Sequence, residues 1–288
     1  VVKLPPNREI IQVFAKSYAL DGQGNIKDPV GMTGVRLEVD THLVTASTPN
    51  LKSLDLALEK AQIAANRYTV SSLAAAEAVM TRQQKEAGTA IIDIGAGTTN
   101  IAILEDGEVQ HVGVLPIGST HLTNDLAIGL KTDLDVAEQV KLKYASLGGL
   151  EKEQIKLKVD GKEYMFMTED IKMITEARLE ELFEYVSREL VKAHRAGKLP
   201  GGVVLVGGGS KIADLSDFVR EQLGLPARLG SLQPIGGLAE AVDDPAYFTS
   251  VGLTMLDMLL PSDVAGSISF MSGRFSDFFG NLRTRFRV

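Results

Sequence analysis

The chain has 288 residues, enough for two domains of ordinary size, and its 44% hydrophobic and 23% charged residues describe a water-soluble globular protein. A net charge of −7 argues against general nucleic-acid binding, which needs a basic footprint. With no cysteine there is no disulfide and no thiolate metal site, and the four histidines (His42, His111, His121, His194) lack metal-ligand spacing. No apolar run reaches the length of a membrane span, and residues 1–7 read as a linker with no signal-peptide pattern. These features point to a cytoplasmic protein unless a peripheral element tethers it.

Glu9 to Leu20, rich in Ile, Val, Phe and Tyr, reads as a strand. A turn-rich loop follows from Asp21 to Asn25 and again from Asp28 to Gly34. Val35 to Ala46 alternates as a second long strand. Thr48-Pro49 reads as a helix start with a hydroxyl cap and proline at the first helical position. Leu51, Leu54, Leu58, Ala61 and Ala65 supply its stripe. Residues 8–66 thus read as a small sheet with a helix on it. Tyr68 to Ser71 reads as a short strand, and Ser72 to Ala87 as an Ala-rich helix stopped by Gly88.

The run Ala90-Ile91-Ile92 leads into Asp93-Ile94-Gly95-Ala96-Gly97-Thr98-Thr99-Asn100, and Ile101 to Leu104 reads as the next strand. Glycines let backbone N–H groups come close to an anion, and a carboxylate at a strand end can hold a metal-bound water beside it. The turn therefore reads either as a phosphate cradle or as an ordinary Gly-rich hairpin. Asp106-Gly107 marks a hairpin returning through Glu108 to Ile117. Helices are expected at Gly118 to Leu130 and Asp133 to Ala145, then a hairpin about Asp160-Gly161. A long helix follows from Thr168 to about Ala196. Val203 to Val206 is a buried strand entering Gly207-Gly208-Gly209-Ser210, followed by a helix from Lys211 to Leu223. Two glycine turns ending buried strands suggest two walls of one nucleotide cleft. Gly236-Gly237-Leu238 and a helix from Pro245 to Leu259 come next.

Residues 261–273 read as a linker. Beyond them Phe275, Phe278, Phe279, Leu282 and Phe286 share one helical face, with Arg274, Arg283, Arg285 and Arg287 on much of the rest. Five of the ten phenylalanines fall in 270–286, so the segment reads as an amphipathic helix at an anionic membrane surface rather than a solvated tail. The competing reading is a terminal helix docked on the core.

These residues carry a family resemblance. Asp93 to Thr99 resembles the second phosphate loop of the actin/DnaK/MreB ATPase superfamily, and Val206 to Ser210 resembles its adenosine motif. Asp28-Pro29-Val30-Gly31-Met32-Thr33-Gly34-Val35-Arg36-Leu37-Glu38, Pro116 to Ala127 and the terminal helix resemble the bacterial cell-division family FtsA. The resemblance implies an α/β, actin-like (ribonuclease H-like) two-lobe ATPase fold with an inserted small α/β subdomain. Its parts would be the insert at 1–67, a remnant of the first lobe at 68–88, a second-lobe core at 89–115 and 200–260, and an outer subdomain at 116–199. A linker at 261–273 and a membrane helix at 274–288 would complete it. In the family, the first strands and the first phosphate loop precede the stretch matched here, which implies that one wall of the cleft lies outside these residues.

The resemblance also implies ATP and Mg²⁺ as ligands. Asp93 would hold Mg²⁺ through water. Gly95, Ala96, Gly97, Thr98 and Thr99 would meet phosphates, with Ala96 where Gly is frequent. Gly118 would lie on the ribose side, with Ser119 for a frequent second Gly. Gly207, Gly208, Gly209 and Ser210 would flank adenosine. Glu138 and Lys141 match ribose and adenine contacts, although Asp135 to Glu138 also fits a helix capping box and Lys141 a solvated face. Where the superfamily places a Gln or Glu to position water, this chain has Ser71 or Ser72, so weak ATP turnover is expected. The implied partners are the C-terminal tail of FtsZ, at Arg178 and Glu181, further copies in an actin-like filament, the membrane, and later division proteins. A charged helix face open to solvent is the commoner meaning of Arg178 and Glu181. The other readings are a PilM-like pilus adaptor and an actin-fold kinase or ATPase.

Overall fold

Among the described residues the strands form three separate sheets, of three, five and two strands. The computed structural model describes residues 3–65, 67–148, 153–234 and 242–259. The Gly236-Gly237-Leu238 stretch, the 261–273 linker and the Phe/Arg segment from Arg274 lie outside the described residues.

The small sheet is antiparallel in the order β2-β1-β3, with β1 at Arg8–Leu20, β2 at Gln23–Ile26 and β3 at Leu37–Ser47. The expected loop at Asp21 to Asn25 is therefore shorter than predicted. Asp21 and Gly22 both have positive φ (51° and 84°), the geometry of a two-residue hairpin turn, and the chain re-enters the sheet at Gln23. The Asp21 carboxylate then accepts the N–H groups of Val35 (3.0 Å) and Arg36 (2.7 Å), folding the following loop back.

Helix α1 (Thr48–Lys60) does start where expected, but Ser47 is its N-cap and no side chain caps it. Thr48 and Pro49 are already helical, and proline is tolerated there because first-turn N–H groups have no partner to lose. No α1 residue is buried; Leu51 and Leu58 are half-buried and Leu54 is exposed. The Tyr68 to Ser71 strand does not form; the chain there is without secondary structure until Ser71 opens α2.

The Ala-rich segment is two helices, α2 (Ser71–Val79) and α3 (Arg82–Ala87). Thr81 is the reason for the break. Its hydroxyl accepts the Gln84 N–H at 3.2 Å, and the Gln84 side chain accepts the Thr81 N–H at 2.9 Å, a capping box that starts a new helix.

The main sheet has the order β10-β9-β4-β5-β6. Strands β4 (Thr89–Ile94), β5 (Thr99–Glu105) and β6 (Glu108–Leu115) form an antiparallel meander. Strands β9 (Val203–Val206) and β10 (Ala227–Leu229) run parallel to β4. All six residues of β4 are buried, which is why the run does not alternate. One face packs under α6 (Thr168–Lys192) and α7 (Leu215–Leu223), with Phe183, Val186 and Leu190 at the centre. The other packs under α2 and α8 (Phe248–Leu259), with Ala75, Ala76, Val79 and Phe248. Phe14 of β1 joins this second cluster at 3% exposure and anchors the small sheet.

Helices α4 (Ser119–Gly129) and α5 (Leu134–Tyr144), the hairpin β7 (Gln154–Val159) and β8 (Lys162–Met167), and the start of α6 share a third core around Leu122, Leu126, Val140 and Ile171. The predicted Lys211 to Leu223 helix is interrupted. A 3-10 turn covers Gly208–Lys211, and α7 begins only at Leu215, after Asp214 at φ 64°. The Asp214 carboxylate is engaged elsewhere, accepting the Gly148 N–H at 3.1 Å and the Ser146 hydroxyl at 3.3 Å.

Candidate nucleotide-binding site

Strand β4 ends at Ile94 and β5 begins at Thr99, so the four residues between them make a tight turn closed by Gly95 N–H donating to the Thr98 carbonyl at 2.9 Å. Ala96, Gly97 and Thr98 are exposed at its tip. The N-terminus of α4 sits against its flank: Ser119 N–H donates to Gly95 O at 2.9 Å and Thr120 N–H to Ala96 O at 2.8 Å. These two donors belong to the first turn of a helix, where N–H groups lack intrahelical partners. The approach is so close that a Cβ on Gly118 would lie 2.6 Å from both carbonyl oxygens. Gly118 N–H donates to His121 Nδ1 at 3.1 Å, which fixes the entry to the helix.

Thr99 does not face the turn tip. It is fully buried and its hydroxyl donates to the Ile117 carbonyl at 2.8 Å. The expected phosphate contact from its side chain gives way to a structural bond tying β5 to the start of α4.

Asp93 lies at the end of β4 at 8% exposure. Burial pushes its carboxyl above the usual range, and hydrogen bonds from Ser71, Thr249 and Asn100 only partly offset this. Next to it in register is Val206 of β9, so the second glycine turn leaves the sheet beside the first. The carboxyl ends of neighbouring parallel strands are where open α/β sheets bind ligands.

The three glycines there do different things. Gly207 has φ 84°, and a Cβ on it would sit 2.5 Å from Ile94 O and 2.6 Å from Asp93 Oδ1. On Gly209 a Cβ would meet Ile94 Cγ2 at 2.4 Å. Gly208 alone is exposed, with nothing within 4 Å of a built Cβ. Ser210 is fully buried and its hydroxyl donates to Gly207 O at 2.7 Å, closing the turn rather than facing a ligand.

Glu138 and Lys141 meet as one polar cluster. The Thr123 hydroxyl donates to Glu138 Oε2 at 2.5 Å, Lys141 Nζ reaches the same oxygen at 2.6 Å, and Lys141 Nζ donates to the Thr123 hydroxyl oxygen at 2.9 Å. Burial raises the Glu138 carboxyl, but the hydrogen bonds from Lys141 and Thr123 and the Lys141 charge outweigh it and hold the group below its ordinary value. The capping-box alternative does not form, since the helix N-cap is Asp133 with no side-chain cap. The cluster instead joins α5 to the end of α4 that sits against the β4–β5 turn.

The residues present fit a nucleotide with hydrated Mg²⁺. The turn tip and Gly208 leave open backbone, and Asp93 offers one carboxylate. Among the described residues no three His, Cys, Asp or Glu side chains gather into a metal cluster. That donor set suits an ion that keeps most of its waters, as Mg²⁺ does. Ser71 donates to Asp93, and Ser72 is fully buried with its hydroxyl unpartnered, so neither is placed as a base for water.

Arg178 is engaged within the chain. Its Nη2 donates to Asp125 Oδ1 at 2.9 Å, Nε reaches the other oxygen, and Nη1 reaches Glu181. An acidic peptide would therefore meet an occupied guanidinium fork. Among the described residues no helix is long and apolar enough to cross a membrane. The membrane-facing set Phe275, Phe278, Phe279, Leu282 and Phe286 lies outside the described residues.

Sequence reasoning passed over Thr123, Thr249, Asp125 and the capping role of His121. Thr249 is 156 positions from Asp93, and no local pattern marks such a contact. Thr123 was legible in principle, four residues after Ser119 on a helix already assigned to the site.

The family model described as cell division protein FtsA matches residues 90–252, and the one described as the SHS2 domain inserted in FTSA matches residues 1–45. The cell division protein FtsA of Pseudomonas aeruginosa is 33% identical over 267 residues, covering 91% of this chain and 64% of that protein. That of Bacillus subtilis is 36% identical over 258 residues, covering 88% and 57%. The chain thus spans roughly 57–64% of the length of these two relatives. Among solved structures, MreB5 of Spiroplasma citri bound to ADP superposes with TM-score 0.63 at 18% identity, covering 88% of this chain and 91% of that one. A PilM–PilN type IV pilus biogenesis complex gives TM-score 0.62 at 18% identity, covering 88% and 68%. At such identities these two establish the actin-like fold alone. The family match over residues 90–252 and relatives above 30% identity over nine-tenths of the chain place it in the FtsA family of cell division proteins.

Proposed function

We propose that this chain belongs to an actin-like division scaffold that binds ATP with Mg²⁺, assembles into filaments and ties the FtsZ ring to the cytoplasmic face of the inner membrane. The observation that carries the nucleotide part is the pair of glycine turns at the ends of β4 and β9 with Asp93 between them. In this reading the open tip at Ala96, Gly97 and Thr98 meets phosphate, Gly208 approaches adenosine, and the Glu138–Lys141 cluster meets ribose and base. Asp93 holds Mg²⁺ through water. ATP turnover is slow, because Ser71 and Ser72 are poor water-positioning groups and one is engaged with Asp93.

Residues 1–67 serve as the inserted subdomain, 116–199 as the outer one, and 89–115 with 200–260 as the core between them. The 274–288 segment is the membrane helix, with its phenylalanines in the apolar boundary and its arginines toward anionic headgroups. Later division proteins and the FtsZ tail are its partners. A pilus adaptor has the same fold, but the family match favours division.

Two measurements test this. Binding of a fluorescent ATP analogue with Mg²⁺ is expected to fall sharply in Asp93→Ala, and unchanged affinity would remove the proposed site. Co-sedimentation with anionic liposomes is expected to require residues 274–288; persistence after their deletion would remove the tether.

A further inference from the structure

The small sheet meets the main sheet along a seam with an apolar centre and a polar rim. Phe14 and Val44 supply the centre, packed into the cluster that contains Ala75, Ala76 and Val109. At the rim His42 of β3 faces His111 of β6, ring centroids 5.9 Å apart and tilted by 58°. His111 Nε2 lies 2.7 Å from Glu189 Oε2 of α6, with side chains only 17% and 12% exposed, and Lys192 pairs with the other Glu189 oxygen at 2.6 Å. Gly113 leaves room for this: a Cβ there would lie 2.8 Å from Glu189 Oε2. Elsewhere on the rim Lys27 bridges to Asp106 of the β5–β6 hairpin, and burial, then the charges of Glu108 and Asp28, raise the Tyr18 phenol of β1.

We propose that this seam is a proton-operated joint, in which protonation of His42 beside His111 loosens the small sheet from the main sheet. His111 has Glu189 as a hydrogen-bonding partner, but His42 has no carboxylate hydrogen-bonded to it among the described contacts. The charged groups that act on His42 are His111 from β6, Lys16 from β1 and Asp40 on its own strand, with Glu189 and Lys192 of α6 behind His111. Two of the first three are unfavourable to a second cation.

Burial, then His111 and Lys16, hold the His42 imidazole below its ordinary value of 6.5, and Asp40 only partly opposes them. The closed seam therefore binds this proton less well than the open one. Its contribution to closure is complete above the ordinary value and is lost as pH falls through the depressed one. Glu108 works in the opposite sense. Burial raises its carboxyl from 4.5 to about 6, so its charge opposes the closed seam in full above pH 6, and the penalty fades as pH falls towards 4.5. Phe14 has no proton to gain, so it stays packed as the pivot and the seam opens at its polar rim.

Electron–electron spin resonance between labels on Lys52→Cys of α1 and Glu221→Cys of α7 reads the seam directly. Both positions are exposed, and the 288 residues contain no native cysteine. The expected result is one narrow distance at pH 8 and a second, longer component at pH 5, severalfold larger in Glu108→Gln than at pH 8 in the same variant. His42→Gln is expected to keep the single distance at both pH values. A distribution that does not change in Glu108→Gln, or an acid component that survives in His42→Gln, overturns the proposal. Circular dichroism on the same samples separates opening of the seam from unfolding. ATP binding plays no part in the readout, so the outcome is independent of the nucleotide site.

Discussion

Neighbouring glycines in the β9 turn give the sharpest test of the site geometry. At Gly207 the backbone has φ 84° and ψ 165°, a region open essentially to glycine alone. Placing alanine there costs about 1–3 kcal/mol in backbone strain. Its Cβ would also lie 2.5 Å from Ile94 O, a backbone atom that cannot swing away. Such overpacking adds about 1–3 kcal/mol. The sum for Gly207→Ala is about 2–6 kcal/mol, a fall in melting temperature of roughly 4–12 °C at about 2 °C per kcal/mol for a chain of this size. Gly208→Ala meets nothing within 4 Å and is expected to change stability by less than about 0.5 kcal/mol. Its methyl group does stand on the open side of the turn. Thermal unfolding with and without saturating ATP and Mg²⁺ separates the two effects, because a ligand that binds only the folded state raises the melting point. Gly207→Ala is expected to fail without ligand. Gly208→Ala is expected to match the parent without ligand and to lose much of the ligand-induced rise. Equal destabilisation by both, or a Gly207→Ala loss below about 1 kcal/mol, would mean that the Gly207–Ile94 approach does not fix this turn.

Three further outcomes are expected. Gly252→Ala places a Cβ 1.7 Å from Ala74 O at the crossing of α2 and α8, and should cost about 1–3 kcal/mol or more by denaturant midpoint, whereas Ser250→Ala on the exposed side of the helix should be near neutral. Arg178→Ala removes a bidentate partner from Asp125, worth about 1.5–3 kcal/mol as charge-assisted hydrogen bonds, so stability should fall before any partner is added; pull-down of the FtsZ tail by Arg178→Lys then tells docking from folding. Glu108 has a folded value of about 6 against an ordinary 4.5, so the folded state holds the extra proton between them and this group's penalty is present above pH 6. Glu108→Gln should therefore raise the urea midpoint at pH 7.5 and leave it unchanged near pH 4.5.

Periodicity and turn chemistry located most elements because their causes are local. The buried β4 run, the Asp106-Gly107 and Asp160-Gly161 turns with positive φ at both residues, and the α6 stripe each declare themselves within a dozen residues. The failures have tertiary or competing local causes. Tyr68 to Ser71 has strand-like residues and no partner strand. The α2–α3 break rests on Thr81 and Gln84, a capping box overlooked inside an otherwise helical composition. α7 starts late because Asp214 bonds Ser146 and Gly148, more than sixty positions earlier. At the site the glycines were legible as a set but not in their division of labour. Nothing in Gly207-Gly208-Gly209-Ser210 says that two glycines admit Ile94 and the Asp93 carboxylate while one stays open.

That division changes how the site is to be understood. Glycine-rich turns are commonly credited with letting a ligand approach, yet here Gly118, Gly207 and Gly209 let the protein approach itself. They draw the ends of β4 and β9 and the start of α4 into contact, and so hold Asp93 where Ser71 of α2 and Thr249 of α8 both reach its carboxylate. Helix α2 also supplies Ala75, Ala76 and Val79 to the cluster that contains Phe14 of the small sheet. A carboxylate, two crossing helices and the anchor of the inserted sheet are thus consecutive contacts. Any ligand that displaces a hydroxyl from Asp93 acts on a helix already packed against that anchor, with no intervening loop to absorb the movement.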